Sequence, residues 1–163
     1  MELQEQKSQT KVLIVDDDPE MRLAMHVRLK ANNYAVGFAV DGVSGIAEAR
    51  RQMPDVILLD LGLPAGDGFA VLERLQASDM LATIPVIVVS GRDRTVHRDR
   101  SLKAGARMFL QKPVRNADLL LAIEQSLGVK SDRTAPVVYD IAGATRSNEL
   151  DARPARGIRT PTN

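Results

Sequence analysis

The chain of 163 residues contains no cysteine. This absence excludes disulfide bonds, thiolate metal sites and a cysteine nucleophile, and it agrees with a reducing compartment. Long apolar runs are also missing, since Val56–Leu59 and Ile84–Val89 are far shorter than the roughly 20 residues that span a bilayer. Neither charge dominates, because 22 Lys and Arg residues oppose 21 Asp and Glu residues, so no overall field favours nucleic acid or an anionic membrane. We therefore predict a soluble, cytoplasmic protein without a membrane association.

Short runs rich in Val, Ile and Leu alternate with longer segments of helical period from Lys11 onward. The first, third and fourth runs are continuously apolar, which is typical of parallel strands covered on both faces. The second and fifth runs are less apolar and are predicted to be edges. Five strand-helix units with right-handed crossovers imply an open, doubly wound α/β sheet with helices on both faces. The strands are predicted at Val12–Val15, Ala35–Ala39, Val56–Leu59, Val86–Val89 and Met108–Leu110.

Apolar residues spaced three and four apart predict which faces of the connecting helices are buried. The segment from Arg92 to Lys103 differs from the others, because Val96 and Leu102 are nearly its only large apolar residues. We expect this helix to be the least firmly anchored. The second helix is predicted to bury the face formed by Val43, Ile46 and Ala47.

Polar side chains follow the carboxyl ends of four predicted strands, the edge at which open α/β sheets bind ligands. Asp60 directly follows the run Val56–Leu59, a costly place for an idle carboxylate. Asp18 and Asp67 are instead predicted to cap the helices that follow them. Crowded carboxylates repel one another unless a hard cation lies among them, and Mg²⁺ typically takes one or two carboxylates. The residues expected at this edge are Asp16, Asp17, Asp60, Ser90 and Lys112.

These five residues have the chemistry that phosphoryl transfer needs: a nucleophile, a cation, and donors for the phosphoryl oxygens. Asp60 is the central carboxylate, and Asp16 and Asp17 would hold Mg²⁺. The Ser90 hydroxyl and the Lys112 ammonium would bind oxygens of the incoming group. The product would be an aspartyl phosphate.

Four separated motifs occur in order along the chain: VLIVDDDP at the first strand, DVILLDLGLPAGDGFAVL around Asp60, PVIVVSG at the fourth strand and AGARMFLQKPV at the fifth. Together they resemble the receiver domains of two-component response regulators. The resemblance covers residues 11–127 and implies a CheY-like, flavodoxin-like sheet with strand order 2-1-3-4-5. It leaves a flexible N-terminal segment at 1–10 and a flexible tail or linker at 128–163.

The resemblance also implies a role for each matching residue. Asp60 matches the phosphorylated aspartate, and Asp16–Asp17 match the acidic pair that binds Mg²⁺. Gly62 matches the residue whose backbone carbonyl completes the Mg²⁺ site. Ser90 matches the switch hydroxyl, and Phe109 matches the aromatic residue that turns inward on activation.

Two further matches concern geometry and phosphate lifetime. Lys112 matches the lysine that precedes a cis proline in the family, so we expect the Lys112–Pro113 peptide bond to be cis. Gly62 and Arg92 occupy positions at which other members carry side chains that tune the lifetime of the phosphate. No lifetime is therefore predicted.

The function that the resemblance implies is a phosphoryl-accepting signalling switch, which assists only its own phosphorylation and dephosphorylation and is otherwise not an enzyme. The expected donor to Asp60 is a sensor histidine kinase or a histidine phosphotransfer protein. A downstream protein is expected on the face made by the fourth helix, fifth strand and fifth helix, and a phosphorylation-linked dimer is also compatible. Direct nucleic-acid binding is not expected, because residues 128–163 are too few for a typical output domain.

Three other functions fit parts of the pattern. An Mg²⁺-dependent aspartate-nucleophile phosphatase of the haloacid-dehalogenase type shares the carboxylates, lysine and hydroxyl, but its Asp-x-Asp motif fits residues 16–20 poorly. A flavodoxin-like cofactor carrier needs a phosphate-binding loop where this chain has three aspartates. An interaction scaffold that takes no phosphate would not require the intact set of site residues.

Overall fold

Five parallel strands form the central sheet of the computed structural model, which describes residues 9–64 and 68–128. Each predicted strand is confirmed to within one residue at either end. The strand order is β2-β1-β3-β4-β5, so the two strands predicted as edges are the edges. The strands are β1 (Lys11–Val15), β2 (Ala35–Ala39), β3 (Val56–Leu59), β4 (Val86–Ser90) and β5 (Met108–Gln111).

The five helices alternate with the strands and cover both faces of the sheet, as the predicted doubly wound fold requires. Helices α1 and α5 pack in one apolar cluster, and α2 and α3 pack in the other. Successive strand residues point to opposite clusters: Leu13 belongs to one and Ile14 to the other. The helices are α1 (Pro19–Ala31), α2 (Gly42–Gln52), α3 (Gly68–Gln76), α4 (Arg94–Lys103) and α5 (Asn116–Gly128).

The start of α1 follows the end of β1 after only three residues, and its cap is the predicted one. The Asp18 carboxylate accepts hydrogen bonds from the backbone N–H groups of Glu20 (2.9 Å) and Met21 (3.3 Å). Pro19 occupies the first helical position, where a missing N–H costs nothing. This cap fixes where the helix begins, and therefore where the preceding acidic pair lies.

The predicted buried face of α2 is wrong. Val43 is 75% exposed and Ala47 is exposed, although Ile46 packs against the core. The residues that α2 buries are Gly45 and Ala49. A Cβ on Gly45 would lie 3.0 Å from a β1 side chain, so the helix approaches the sheet too closely for a large residue.

Helix α4 has little apolar anchoring, as predicted. Val96 is 64% exposed, and the buried residue of the helix is Ser101. The helix gains another contact that the apolar pattern does not reveal: the guanidinium carbon of Arg100 lies 3.7 Å from the centroid of the Phe69 ring. A cation over an aromatic face is attracted by the ring quadrupole, so this contact ties α4 to the start of α3.

Several predictions concern segments outside the described residues. The N-terminal segment 1–10 and the tail 128–163 fall almost wholly outside them, and so does the cap predicted at Asp67. Across residues 9–64 and 68–128, no helix is long and apolar enough to cross a membrane.

The tight packing of Gly68, the first residue of α3, predicts the effect of adding one methyl group. A Cβ there would lie 2.5 Å from the carbonyl oxygen of Asp60 and 2.6 Å from the Cα of Leu61. Because both atoms belong to the backbone, Gly68→Ala must displace the helix or the loop. We expect a loss of about 2 kcal/mol in the free energy of unfolding, measured by urea denaturation followed by circular dichroism.

Gly91→Ala is the matched control for this substitution, since a Cβ at Gly91 meets nothing within 4 Å. A Gly68→Ala variant as stable as the Gly91→Ala variant would contradict the prediction.

Candidate functional site

Three carboxylates meet at the carboxyl end of the sheet. Strand β1 leads into Asp16 and Asp17, and its neighbour β3 leads into Asp60. One oxygen from each carboxylate lies within 4.8 Å of the others. Asp16 is 1% exposed and Asp60 is 8% exposed, whereas Asp17 is open to solvent. The three predicted carboxylates therefore form one cluster with an open side.

Lys112 brings a positive charge into this cluster. Its Nζ lies 2.8 Å from Oδ2 of Asp16 and 3.6 Å from Oδ2 of Asp60. The backbone N–H of Lys112 donates to the carbonyl oxygen of Ser90 at 2.9 Å, which holds the end of β5 beside the end of β4. The Lys112–Pro113 peptide bond is cis, as predicted.

Each polar group of Asp16 has a hydrogen-bond or ion-pair partner. Its Oδ1 accepts the backbone N–H of Asp18 at 2.9 Å, and its Oδ2 accepts the Lys112 ammonium. Its backbone N–H donates to the carbonyl oxygen of Ala39 at 3.2 Å. Its carbonyl oxygen accepts Nη1 of Arg22 at 2.7 Å, a contact that no sequence motif indicated. Asp16 therefore organises the cluster from inside, and Asp17 faces the solvent.

The environment of Asp60 disfavours its charged form. Burial raises the pKa of the Asp60 carboxyl above its ordinary value. A hydrogen bond from the Gly62 backbone N–H and the charge of Lys112 lower that pKa, while the charges of Asp16 and Asp17 raise it further. The net rise shows that Lys112 alone does not compensate the buried negative charge.

Gly62 lies against Asp60, and its backbone N–H donates a hydrogen bond to the Asp60 carboxylate. That the carbonyl of Gly62 completes a Mg²⁺ site stays a prediction. A Cβ on Gly62 would lie 3.1 Å from Oδ2 of Asp60, so a larger residue would crowd the carboxylate.

The two residues expected to respond to activation lie on neighbouring strands. Ser90 ends β4, is fully buried, and accepts the backbone N–H of Arg92 at 3.2 Å. In the sheet register Val88 lies beside Leu59, so Ser90 reaches the same edge as the carboxylates. Phe109 lies lower on β5, is 9% exposed, and packs in the cluster of α2 and α3. Ser90 is thus a rim residue and Phe109 a core residue.

The residues present fit a hard divalent cation. Carboxylate oxygens are the ligands that Mg²⁺ prefers, and it retains several waters, for which the exposed side at Asp17 leaves room. Burial, and to a smaller extent the charges of Asp16 and Asp17, raise the pKa of Asp60, and a bound cation would favour its charged form. The donor set is therefore suited to Mg²⁺ rather than to a metal that prefers thiolate or imidazole ligands.

Comparison with known sequences identifies relatives of the chain. The sequence model of the family described as "Response regulator receiver domain" matches residues 12–124. The chain is 36% identical over 123 residues to the DNA-binding dual master transcriptional regulator RpaA of Synechocystis sp., covering 76% of this chain and 51% of RpaA. It is 34% identical over 117 residues to protein PilH of Pseudomonas aeruginosa, covering 72% of this chain and 97% of PilH. It thus spans about half the length of RpaA and nearly all of PilH.

Solved structures share the fold. A CheY-like response regulator receiver domain protein from Methanospirillum hungatei JF-1 is similar with a TM-score of 0.71 at 29% identity, covering 76% of this chain and 97% of that one. The receiver domain of a sensor histidine kinase from Pseudomonas aeruginosa PAO1 is similar with a TM-score of 0.68 at 28% identity, covering 74% and 99%. That second structure has a magnesium ion coordinated in its active-site cleft.

The raised pKa of Asp60 predicts a pH dependence of stability. A carboxyl whose pKa is higher in the folded than in the unfolded protein destabilises the fold once it is ionised. In metal-free buffer at pH 7 we therefore expect Asp60→Asn to raise the melting temperature by a few degrees. The gain should shrink as the pH falls through the pKa of folded Asp60 towards the ordinary value of 3.8, because the wild-type carboxyl then becomes neutral.

Thermal unfolding of wild type and Asp60→Asn at pH 7 and pH 4.5 in the presence of a chelator measures this difference. Asp79→Asn is the control, because Asp79 is an exposed acid outside the carboxylate cluster. A melting temperature of Asp60→Asn below that of wild type at pH 7, or a gain over wild type that is larger at pH 4.5 than at pH 7, would refute the pKa argument.

Proposed function

The chain belongs to the family of response regulator receiver domains, and from this membership we propose that Asp60 is the residue that accepts the phosphoryl group. The protein is a phosphoryl-accepting signalling switch of the two-component kind. The observation that supports Asp60 is its position at the end of β3, where it shares the Lys112 ammonium with Asp16 and clusters with Asp17. The phosphatase alternative finds no support in the matched family or in the relatives reported above.

The proposed reaction is a displacement at phosphorus. A carboxylate oxygen of Asp60 forms the new O–P bond, and the bond from phosphorus to the donor's nitrogen or oxygen breaks with its electron pair leaving on the donor. The product is an aspartyl phosphate. The Lys112 ammonium, 3.6 Å from Asp60, is placed to pair with an oxygen of the transferred group. The Ser90 hydroxyl accepts the Arg92 N–H and retains its own hydrogen, which can be donated to a second phosphoryl oxygen.

Mg²⁺ is part of this proposal. The side chains of Asp16, Asp17 and Asp60 would hold the ion, with the backbone carbonyl of Gly62. When bound, Mg²⁺ neutralises negative charge on the carboxylates and on the phosphoryl oxygens. The proposal is supported by the cluster of carboxylate oxygens and by the magnesium ion in the similar receiver domain from Pseudomonas aeruginosa.

Response regulators take their phosphoryl group from histidine kinases or histidine phosphotransfer proteins, and we propose such a donor here. We further propose that Ser90 and Phe109 relay phosphorylation to a protein partner, or to a second copy, on the face formed by α4, β5 and α5. Catalysis by the chain would be limited to its own phosphorylation and dephosphorylation, in the cytoplasm. The absence of direct nucleic-acid binding stays a prediction, because RpaA is a DNA-binding regulator and this chain spans half its length.

Phosphorylation of Asp60 predicts a change in mass. Incubation of the native protein with acetyl phosphate and Mg²⁺ should add the mass of one phosphoryl group, and Asp60→Ala should abolish the gain because the nucleophile is lost. Intact-mass spectrometry measures the product. Asp79→Ala, which removes an exposed acid elsewhere, should be phosphorylated like wild type. An unchanged mass in native wild type with metal present would overturn the proposed function.

Binding of Mg²⁺ to the folded state predicts a stabilisation that depends on Asp17. At about a hundred times its dissociation constant, an ion that binds only the folded state adds about 2.7 kcal/mol. We expect this stabilisation to appear as a rise in the melting temperature of wild type when Mg²⁺ is added. The rise should be nearly lost in Asp17→Asn, because one charged ligand is removed. Asp79→Asn should retain the shift. The same stabilisation in Asp17→Asn as in wild type would exclude Asp17 as a ligand.

A further inference from the structure

Two arginines of α1 donate hydrogen bonds to backbone carbonyls in two loops that carry site residues. Nη1 of Arg22 donates to the carbonyl oxygen of Asp16 at 2.7 Å, and Nη1 of Arg28 donates to the carbonyl oxygen of Val114 at 3.0 Å. Both hydrogen bonds are partly buried, and the second joins residues 86 positions apart in the chain. One helix therefore contacts both the loop that carries the acidic pair and the loop that follows Lys112.

We propose that Arg22 and Arg28 are positioning residues for phosphoryl transfer, with separate tasks. Arg22 positions the carboxylates that hold Mg²⁺, and Arg28 positions Lys112. This inference rests on the function proposed above, and neither arginine itself touches the reacting atoms.

The contact of Arg22 acts on Asp17 through the peptide plane. The carbonyl of Asp16 belongs to the same planar peptide unit as the N–H of Asp17. A donor that fixes this oxygen therefore also fixes the direction in which the backbone continues into Asp17. Asp17 itself is exposed, so its position depends on the backbone that carries it. The N–H of Asp16 is already bound to Ala39, so both ends of Asp16 are held.

The contact of Arg28 acts on Lys112 through the turn that contains Pro113. The N–H of Lys112 is bound to the Ser90 carbonyl at 2.9 Å, which fixes the turn on one side. Arg28 fixes the other side at Val114, whose side chain also packs against the cluster of α1 and α5. Because the Lys112 ammonium lies at the end of a flexible four-carbon side chain, its position depends on the position of the backbone at Lys112.

Helix α1 is rigid enough to serve as this support. Met25 is 3% exposed and Leu29 is fully buried, so the helix is seated on the sheet between and beside the two arginines. The Asp18 cap fixes its first turn. A planar guanidinium loses less freedom than an ammonium when it makes a directed hydrogen bond, which suits arginine to this task.

Two variants and two measurements separate the tasks. Arg22→Met should weaken Mg²⁺ binding about tenfold, the size of loss that supporting residues of metal ligands typically cause. Arg28→Met should leave the Mg²⁺ dissociation constant within twofold of wild type, but lower the phosphorylation rate at saturating Mg²⁺ about tenfold, because a misplaced group costs rate rather than metal affinity. Mg²⁺ titration without a phosphodonor gives the first quantity, and acetyl phosphate with intact-mass detection gives the second.

Controls exclude docking and folding effects. Acetyl phosphate needs no kinase surface, so a change in rate reports on the site itself. Lys30→Met removes an exposed positive charge from the same helix and should change neither quantity. Arg28→Lys keeps one donor and should recover part of the rate. If a methionine variant fails to fold by circular dichroism, Arg22→Lys or Arg28→Lys replaces it in the assay, and a loss of the same quantity is expected at smaller size.

The outcomes are distinguishable. Values within twofold of wild type for both quantities in both variants would overturn the inference, and so would equal losses of the same quantity in both. Failure of wild type itself to be phosphorylated would instead overturn the function proposed for Asp60.

Discussion

The balance of charge at the carboxyl end of the sheet is the constraint on which the site depends. Parallel strands bring three carboxylates within 4.8 Å of one another, and burial makes the charge on Asp60 costly. Lys112, which follows the edge strand β5, brings a compensating positive charge to Asp16 and Asp60. Because Lys112 lies closer to Asp16 than to Asp60, the charge of the Asp60 carboxylate is left partly uncompensated. The proposed Mg²⁺ binding and phosphorylation would both change this balance of charge.

The helices on the two sides of the site differ in how well they are packed against the sheet. On the side of β1, α1 is seated by Met25 and Leu29 and capped by Asp18. On the side of β4, α4 exposes Val96 and contacts the Phe69 ring through Arg100. Regions with few buried apolar contacts open at lower free energy. A structural change at Asp60, as proposed for phosphorylation, would therefore be more easily accommodated by α4 than by α1.

Continuous apolar runs such as Val56–Leu59 predicted the three central strands, because a strand covered on both faces needs such a stretch, and the two less apolar runs were correctly predicted as edges. The buried face of α2 could not be predicted in the same way. Hydropathy favoured Val43, whereas close approach of the helix to β1 selected Gly45 and Ala49 for their small size. Side-chain volume at an interface depends on the distance between elements, which a periodic pattern does not contain.

The sequence by itself determined which chemistry is present: carboxylates after β1 and β3, a hydroxyl at the end of β4 and a lysine after β5, in motifs whose order implies one edge of one sheet. Only the tertiary structure decided how these groups are paired and supported. It paired the Lys112 ammonium with Asp16, raised the pKa of Asp60 by burial, and placed Arg28 against the carbonyl of Val114. These features join residues up to 96 positions apart, and they depend on burial and on distances of a few ångströms that only packing sets.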